Sequence, residues 1–491
     1  MARQTIRFLR RGQVVELSSM SPTRTLLDYL RLEEKSKGTK EGCNEGDCGA
    51  CTVALGSLEN ERVVYEPVNA CIFFLGQIDG KELVTVDDLA VGGKLHPVQK
   101  AFVDNHASQC GFCTPGFVMS LFTLYHAGKK PTRQEIVDHI AGNLCRCTGY
   151  RPIVDAAVKS CTGKPADAWV AAAKVTAVQL AALDDAADVF MGDTSTFFAA
   201  PYHEEELTRL YADHPDATIV AGATDVGLWV TKQLQTLPKI IHIGRTKGLD
   251  KITDEGPHIS IGATATYSSA ESFLASIDPD IGEVIRRIGA KQVRATGTIG
   301  GNIANGSPIG DTPPVLIALG ATLHLRHGGD ERQLPLEDFF VGYGKQGRGA
   351  GELVWRVDVP KLKANEAFRA FKLTKRFDQD ISAVMGAFKF TLEGRTILSA
   401  RIAFGGMAAT PKRALKTEAA LRGVSLDAPQ TWEQAILMMA EDYQPIGDMR
   451  ASAEYRLVVA QALLRKALME IASGQSATTR LAGLREGGRL R

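Results

Sequence analysis

A chain of 491 residues is too long for one core and should divide into about three domains. Its 57 Lys and Arg against 56 Asp and Glu leave a net charge of +1, which argues against nucleic acid or an anionic membrane surface as the main partner. No apolar run reaches the ~20 residues of a membrane span. The N-terminus lacks the apolar core and cleavage site of a signal peptide, so a cytoplasmic protein with reduced cysteines is expected.

Residues 3–17 read as a hairpin, TIRFL and VVEL joined by a turn at Arg11-Gly12-Gln13. A helix through Leu26, Leu27 and Leu30 should follow, then a glycine-rich cysteine loop and strands at Thr52–Leu55, Val63–Tyr65 and Leu83–Val86. The next unit, to about residue 162, reads as helical. Thr114 and Pro115 look like an N-cap and first helical residue. Thr132 with Glu135 forms a capping box, opening a helix with Ile136, Val137 and Ile140 inward. An alanine-rich stretch from Thr162 to Phe190 reads as a linker, partly helical. Glycine and β-branched residues then dominate to about residue 360, as in a mixed α/β domain. The last unit pairs strands (SAVMGAFKFTLEG, ILSARIAFGG) with helices near Trp432–Glu441 and Ala453–Ile471. The arginine-bearing tail after Ser473 is expected to be disordered.

Eight of the nine cysteines form two sets of four. Cys43, Cys48, Cys51 and Cys71 lie in and after GCNEGDCGACTV, with four residues between the first pair and two between the second. That is the spacing of plant-type [2Fe–2S] proteins. Gly42, Gly46 and Gly49 let such a loop take φ > 0 and approach a cluster closely. Zinc usually prefers two short CxxC knuckles, so it fits this set poorly. Cys110, Cys113, Cys145 and Cys147, in QCGFCTPG and NLCRCTGYRP, suit a second cluster, with four-thiolate zinc the rival. Each pair should lie beside a helix end. Cys161 has no partner and reads as an ordinary thiol.

Two small-residue loops stand about 75 residues apart. Ile219, Val220, Ala221, Gly222, Ala223, Thr224, Asp225 and Val226 form an apolar strand running into a turn whose N–H groups suit a phosphate. Thr298, Ile299, Gly300, Gly301 and Asn302 form the second, with Asp311 downstream as a ribose or flavin partner or a solvated turn residue. The first is not GxGxxG, so a Rossmann site is not indicated.

At GCNEGDCGACTV, QCGFCTPG, LCRCTGYRP, AGATDVGL and TIGGNIANGSPIGD the chain resembles the iron–sulfur and FAD portion of the xanthine dehydrogenases, in the form of a bacterial small subunit. The resemblance implies an α+β multidomain fold. Its parts would be a β-grasp ferredoxin-like domain (1–88), a four-helix [2Fe–2S] domain (89–162), a linker (163–190), a PCMH-type, vanillyl-alcohol-oxidase-like FAD domain (191–365), a CO-dehydrogenase-flavoprotein C-terminal domain (366–475) and a tail (476–491). It adds Ile288, Asp311, Val354 and Lys372 to the FAD contacts of the two loops, with Ile288 where relatives carry an aromatic residue. It places Gln109 and Cys147 near a molybdopterin and Thr374–Ile381 beside the flavin where NAD approaches. No side chain of this chain is expected to be catalytic. A large molybdopterin-binding subunit would oxidise hypoxanthine or xanthine, in a heterodimer or a heterotetramer of two small and two large subunits. Electrons would pass to the Cys110 set, the Cys43 set, FAD and then NAD⁺, with no nucleic acid and no membrane involved. The equivalent subunit of another molybdenum hydroxylase, and a non-enzymatic electron carrier, are the alternatives.

Overall fold

The computed structural model describes residues 2–474; the arginine-bearing tail lies outside them. The chain forms two compact units, Met1–Lys247 with Gly289–Gly297, and Gly248–Ile288 with Thr298–Arg491. This division cuts through the segment expected as one FAD domain.

In the first unit, β1 (Ile6–Arg10) and β2 (Gln13–Leu17) form the expected hairpin, turned by Arg11 and Gly12 at φ 53° and 71°. With β3 (Thr52–Glu59), β4 (Arg62–Asn69) and β5 (Glu82–Val84) they make a sheet of order β2-β1-β5-β3-β4, with β1 and β5 parallel. The short helix α1 (Leu26–Asp28) and the wider turn over Tyr29–Glu33 bury Leu26, Leu27 and Leu30 against Ile6 and Phe8. This is the β-grasp arrangement.

Four helices follow: α2 (Pro97–Asp104), α3 (Thr114–His126), α4 (Arg133–Ile140) and α5 (Tyr150–Ser160). Every residue from Gly116 to Tyr125 is buried, so α3 is the bundle's central element. Its N-cap is Cys113, one residue earlier than expected, because the Thr114 hydroxyl is engaged with Ser108 at 2.7 Å. In α4 the Thr132–Glu135 box forms, and Ile136 and Ile140 point inward. Val137, one residue off that stripe, is 39% exposed. The alanine-rich segment is a packed helix, α6 (Ala168–Leu183), whose Leu180 and Leu183 bury against Leu9. A second sheet, β6 (Val189–Gly192), β7 (Phe197–Ala200), β8 (Thr218–Val220) and β9 (Lys239–His242), has order β6-β7-β9-β8. Phe198, Val220 and Ile240 share one apolar core with Phe8 and Leu26, so the two sheets are welded rather than tethered.

The second unit holds a five-stranded antiparallel sheet of β10 (Ile252–Asp254), β11 (His258–Gly262), β12 (Thr322–His327), β13 (Asp330–Pro335) and β16 (Leu353–Pro360). A small hairpin, β14 (Phe340–Gly342) and β15 (Lys345–Gln346), precedes β16. A second sheet joins β17 (Glu366–Leu373), β18 (Val384–Glu393), β19 (Thr396–Gly405) and β20 (Lys412–Arg413). The helix Ala453–Ser473 packs Leu464 and Leu468 into the core of that sheet. The helix expected near Trp432–Glu441 is broken at Met438 into Trp432–Leu437 and Met439–Asp442, and the bend buries both Ile436 and Met439.

Candidate cofactor sites

The first cysteine set converges on the loop before β3 and the turn after β4. Cys51 and Cys71 are buried, and Cys43 and Cys48 are partly exposed. The backbone N–H groups of Asp47 and Cys48 point at the Cys43 sulfur at 3.4 and 3.3 Å. Crowding splits the thiols. The Cys48 and Cys71 thiols, donating to Cys43, hold it far below the usual thiol range, while Cys48 and Cys71 are driven far above it by the same contacts. A multiply charged cation core would let these crowded sulfurs exist together as thiolates. The glycines pack with no room to spare. A Cβ on Gly42 would stand 2.7 Å from the Cys48 sulfur, and Gly46 and Gly49 have φ of 80° and 67°.

The second set brackets two helix ends: Cys113 caps α3, and Cys145 and Cys147 immediately precede α5. The Cys147 sulfur lies 3.6 Å from that of Cys110 and 4.0 Å from that of Cys145. Cys110 and Cys147 are exposed. The Cys110 backbone N–H, then the Thr148 hydroxyl, lower Cys147 to about 7, and burial pushes Cys113 up to about 12. Cys161 is buried and, pushed up to about 11 by burial, is an inert thiol.

The two cysteine sets are directly joined. The Leu144 N–H, adjacent to Cys145, donates to the Cys48 carbonyl at 3.0 Å. Asn143 anchors the same junction, donating to the Gly49 carbonyl at 3.0 Å. Gln292, on the helix Lys291–Thr296, reaches in to donate to Thr52, Ser120 and Asn143 at 3.1–3.2 Å. A Cβ on Gly116 would stand 2.1 Å from the Gly49 carbonyl, so backbone meets backbone here.

The predicted FAD residues fall in both units. In the first, Ile219 and Val220 lie on β8, and Ala221 to Asp225 form the turn into α7 (Val226–Thr231). Ala223 has φ 59°, and a Cβ on Gly222 would lie 1.8 Å from the Thr296 carbonyl oxygen. Gln77 fixes the turn by donating to the Ala221 carbonyl at 2.9 Å. In the second unit, the expected loop is the start of a helix. Thr298 is its N-cap, accepting from the Gly301 N–H at 3.0 Å, and Ile299–Asn305 are helical. Gly300 packs on Ala263 with no space for a Cβ. Asn302 accepts from the Thr312 hydroxyl. Asp311 is no solvated turn residue. It is buried, paired with Lys372, and accepts from the Ser382 hydroxyl at 2.5 Å. Val354 is buried on β16 opposite Leu325, and Ile288 is half-buried beside the same core. The segment Thr374–Ile381 is gripped by Arg287, which donates to the Lys372 and Phe377 carbonyls at 3.0 Å and lies 4.4 Å from the Phe377 ring.

One constellation had no sequence signal. His96 and His126 both direct Nε2 at one oxygen of Asp167, at 2.7 and 2.8 Å, where the chain enters α6. Burial opposes ionisation of Asp167, but the two imidazoles hold it well below the usual carboxylate range. Although these three groups are close enough to share a metal ion, His96 Nδ1 accepts from the Val98 N–H at 3.2 Å. That bond leaves the ring proton on Nε2, so the trio is a hydrogen-bonded clasp.

Comparison with known families matches four models in order: a 2Fe–2S iron–sulfur cluster binding domain (residues 9–75), a [2Fe–2S] binding domain (85–158), an FAD binding domain in molybdopterin dehydrogenase (193–362) and a CO dehydrogenase flavoprotein C-terminal domain (369–471). In this order the four fit the iron–sulfur and FAD portion of a molybdenum hydroxylase. Among named relatives it is similar to xanthine dehydrogenase/oxidase of Rattus norvegicus, 33% identical over 462 residues, covering 84% of this chain and 35% of that protein. Xanthine dehydrogenase 1 of Arabidopsis thaliana is 31% identical over 490 residues, covering 85% and 35%. The chain thus spans about a third of the length of these relatives. Similar solved structures include CO dehydrogenase from Oligotropha carboxidovorans (TM-score 0.53, 28% identity, 58% of this chain and 99% of that one). Quinoline 2-oxidoreductase from Pseudomonas putida 86 is comparable (0.52, 25%, 58% and 99%).

Proposed function

We propose that this chain is the electron-transfer subunit of a xanthine dehydrogenase. It would take electrons from a molybdopterin site on a large partner subunit and deliver them to NAD⁺. The observation that carries the reading is the Leu144–Cys48 hydrogen bond, which links the two four-cysteine sets through a few covalent bonds. Similarity to xanthine dehydrogenases along most of this chain supports the substrate, and the likeness to CO dehydrogenase and quinoline 2-oxidoreductase supports the alternative of another molybdenum hydroxylase.

In this reading Cys43, Cys48, Cys51 and Cys71 hold one [2Fe–2S] cluster, and Cys110, Cys113, Cys145 and Cys147 the other. The Gly222 turn, the helix start Thr298–Asn302, Ile288, Asp311, Val354 and Lys372 would hold FAD. The bound groups supply the chemistry, one-electron relay by iron and hydride exchange by flavin. The chain's own residues do the positioning. N–H donors on the Cys43 sulfur stabilise its charge. Gly49 and Gly116 let the two ligand loops meet, and Arg287 holds the Thr374–Ile381 segment in one place. The exposed Cys110 and Cys147 edge is where a partner subunit would dock. No helix among the described residues is long and apolar enough to cross a membrane, and we place the complex in the cytoplasm.

The test is turnover of the complex with its partner. Xanthine-dependent NAD⁺ reduction supports the reading. Activity confined to quinoline-type heterocycles, aldehydes or carbon monoxide selects the alternative. Failure of the isolated chain to reduce dyes with NADH would contradict NAD⁺ as the acceptor.

A further inference from the structure

Lys232 directly follows α7, the helix that begins at the Gly222 turn. Its ammonium donates to the carbonyl oxygen of Cys43 at 2.6 Å and pairs with Glu45 at 3.3 Å. Both partners belong to the first cysteine loop, and no sequence motif marked Lys232. The approach is fixed by packing. Gly227, earlier on the same helix, lies against the Ile72 backbone so closely that a Cβ would stand 2.6 Å from the Ile72 carbonyl. Asn44 and Gly46, at φ 55° and 80°, fold the loop on either side of Glu45. Two opposite charges are therefore held beside a ligand residue by backbone geometry on both sides.

We propose that Lys232 and Glu45 form a tuning pair for the potential of the first cluster, with Lys232 the positioning residue that raises it. This inference rests on the cluster assignment made above. Reducing a thiolate-held cluster adds one negative charge to a centre that is already anionic. A fixed cation nearby stabilises the reduced form, and a fixed anion destabilises it. Lys232 also polarises the carbonyl of a ligand residue, which draws electron density away from the cluster. Glu45 opposes this, so removing either charge shifts the balance in a direction set by its sign. Because both side chains reach solvent, salt should weaken the effect.

The experiment is an anaerobic redox titration of the full chain, followed by electron paramagnetic resonance at low ionic strength. The signal lost in Cys71→Ala identifies the first cluster. In Lys232→Met, the reduced-to-oxidised ratio of that cluster at a fixed potential should fall about threefold to tenfold, tenfold being about 59 mV. Glu45→Gln should move it the opposite way, and Lys232→Arg should stay close to the unsubstituted chain. The second cluster should not move in any of them. Same-direction shifts in Lys232→Met and Glu45→Gln, or no shift in either with both clusters loaded, would overturn the inference alone. Absence of both cluster signals from the unsubstituted chain would overturn the cluster assignment and this inference with it.

Discussion

Gly222→Ala is the sharpest perturbation of the proposed flavin site. A Cβ there would lie 1.8 Å from the Thr296 carbonyl oxygen and 2.4 Å from its carbon. Ordinary contact begins near about 3.5 Å, so the two segments must separate by more than about an ångström. Both obstructing atoms are backbone, and no rotamer change relieves the clash. Overpacking of this kind costs about 1–3 kcal/mol, small enough for the unit to fold but large enough to spoil a phosphate cradle. Gly301→Ala is the control, since its Cβ meets mainly the Thr298 hydroxyl, at 2.7 Å. The assay is the ratio of extracted flavin to iron. Gly222→Ala should lose most of its flavin while keeping iron and sulfide, and Gly301→Ala should lose less. Full flavin occupancy in Gly222→Ala would refute the assignment of this turn to FAD.

Lys372→Met leaves Asp311 charged and buried with only the Ser382 hydroxyl and should destabilise the second unit by about 3–5 kcal/mol in denaturant unfolding; adding Asp311→Leu should recover part of that loss. Burial lowers His139 to about 3 and His242 to about 4, so each is neutral in the folded chain while its unfolded form takes a proton below about 6.5. Stability should therefore fall as pH drops from about 6.5 toward 4, His242 alone contributing about 3 kcal/mol at pH 4, and thermal midpoints that rise over that interval would contradict it. Asn143→Ala removes the bonds to Gly49 and Thr52, and the magnetic coupling between the two reduced clusters should weaken while iron content is kept.

Much of the site was legible because its chemistry demands particular residues at fixed local spacing. The cysteine sets, the glycines between them and the Thr132–Glu135 box are such cases. What could not be read depends on contacts between distant segments. Asp311 gave equal grounds for a ribose or flavin partner or a solvated turn residue, and its burial beside Lys372, 61 residues away, removes the second. The linker looked loose because alanines carry no pattern, yet Asp167 is clasped by two histidines 41 and 71 residues upstream. Gln292 likewise gives no local sign that it enters the junction of the two cysteine sets. Small offsets had local causes: Thr114 lost the cap to Cys113 once its hydroxyl engaged Ser108.

The most direct test of the whole account is metal, sulfide and flavin analysis of anaerobically purified chain, with resonance spectra after dithionite reduction. Two distinct reduced [2Fe–2S] signals, acid-labile sulfide matching iron, and bound FAD are the predicted result. Zinc in place of iron in either cysteine set, or folded protein without sulfide and flavin, would contradict it.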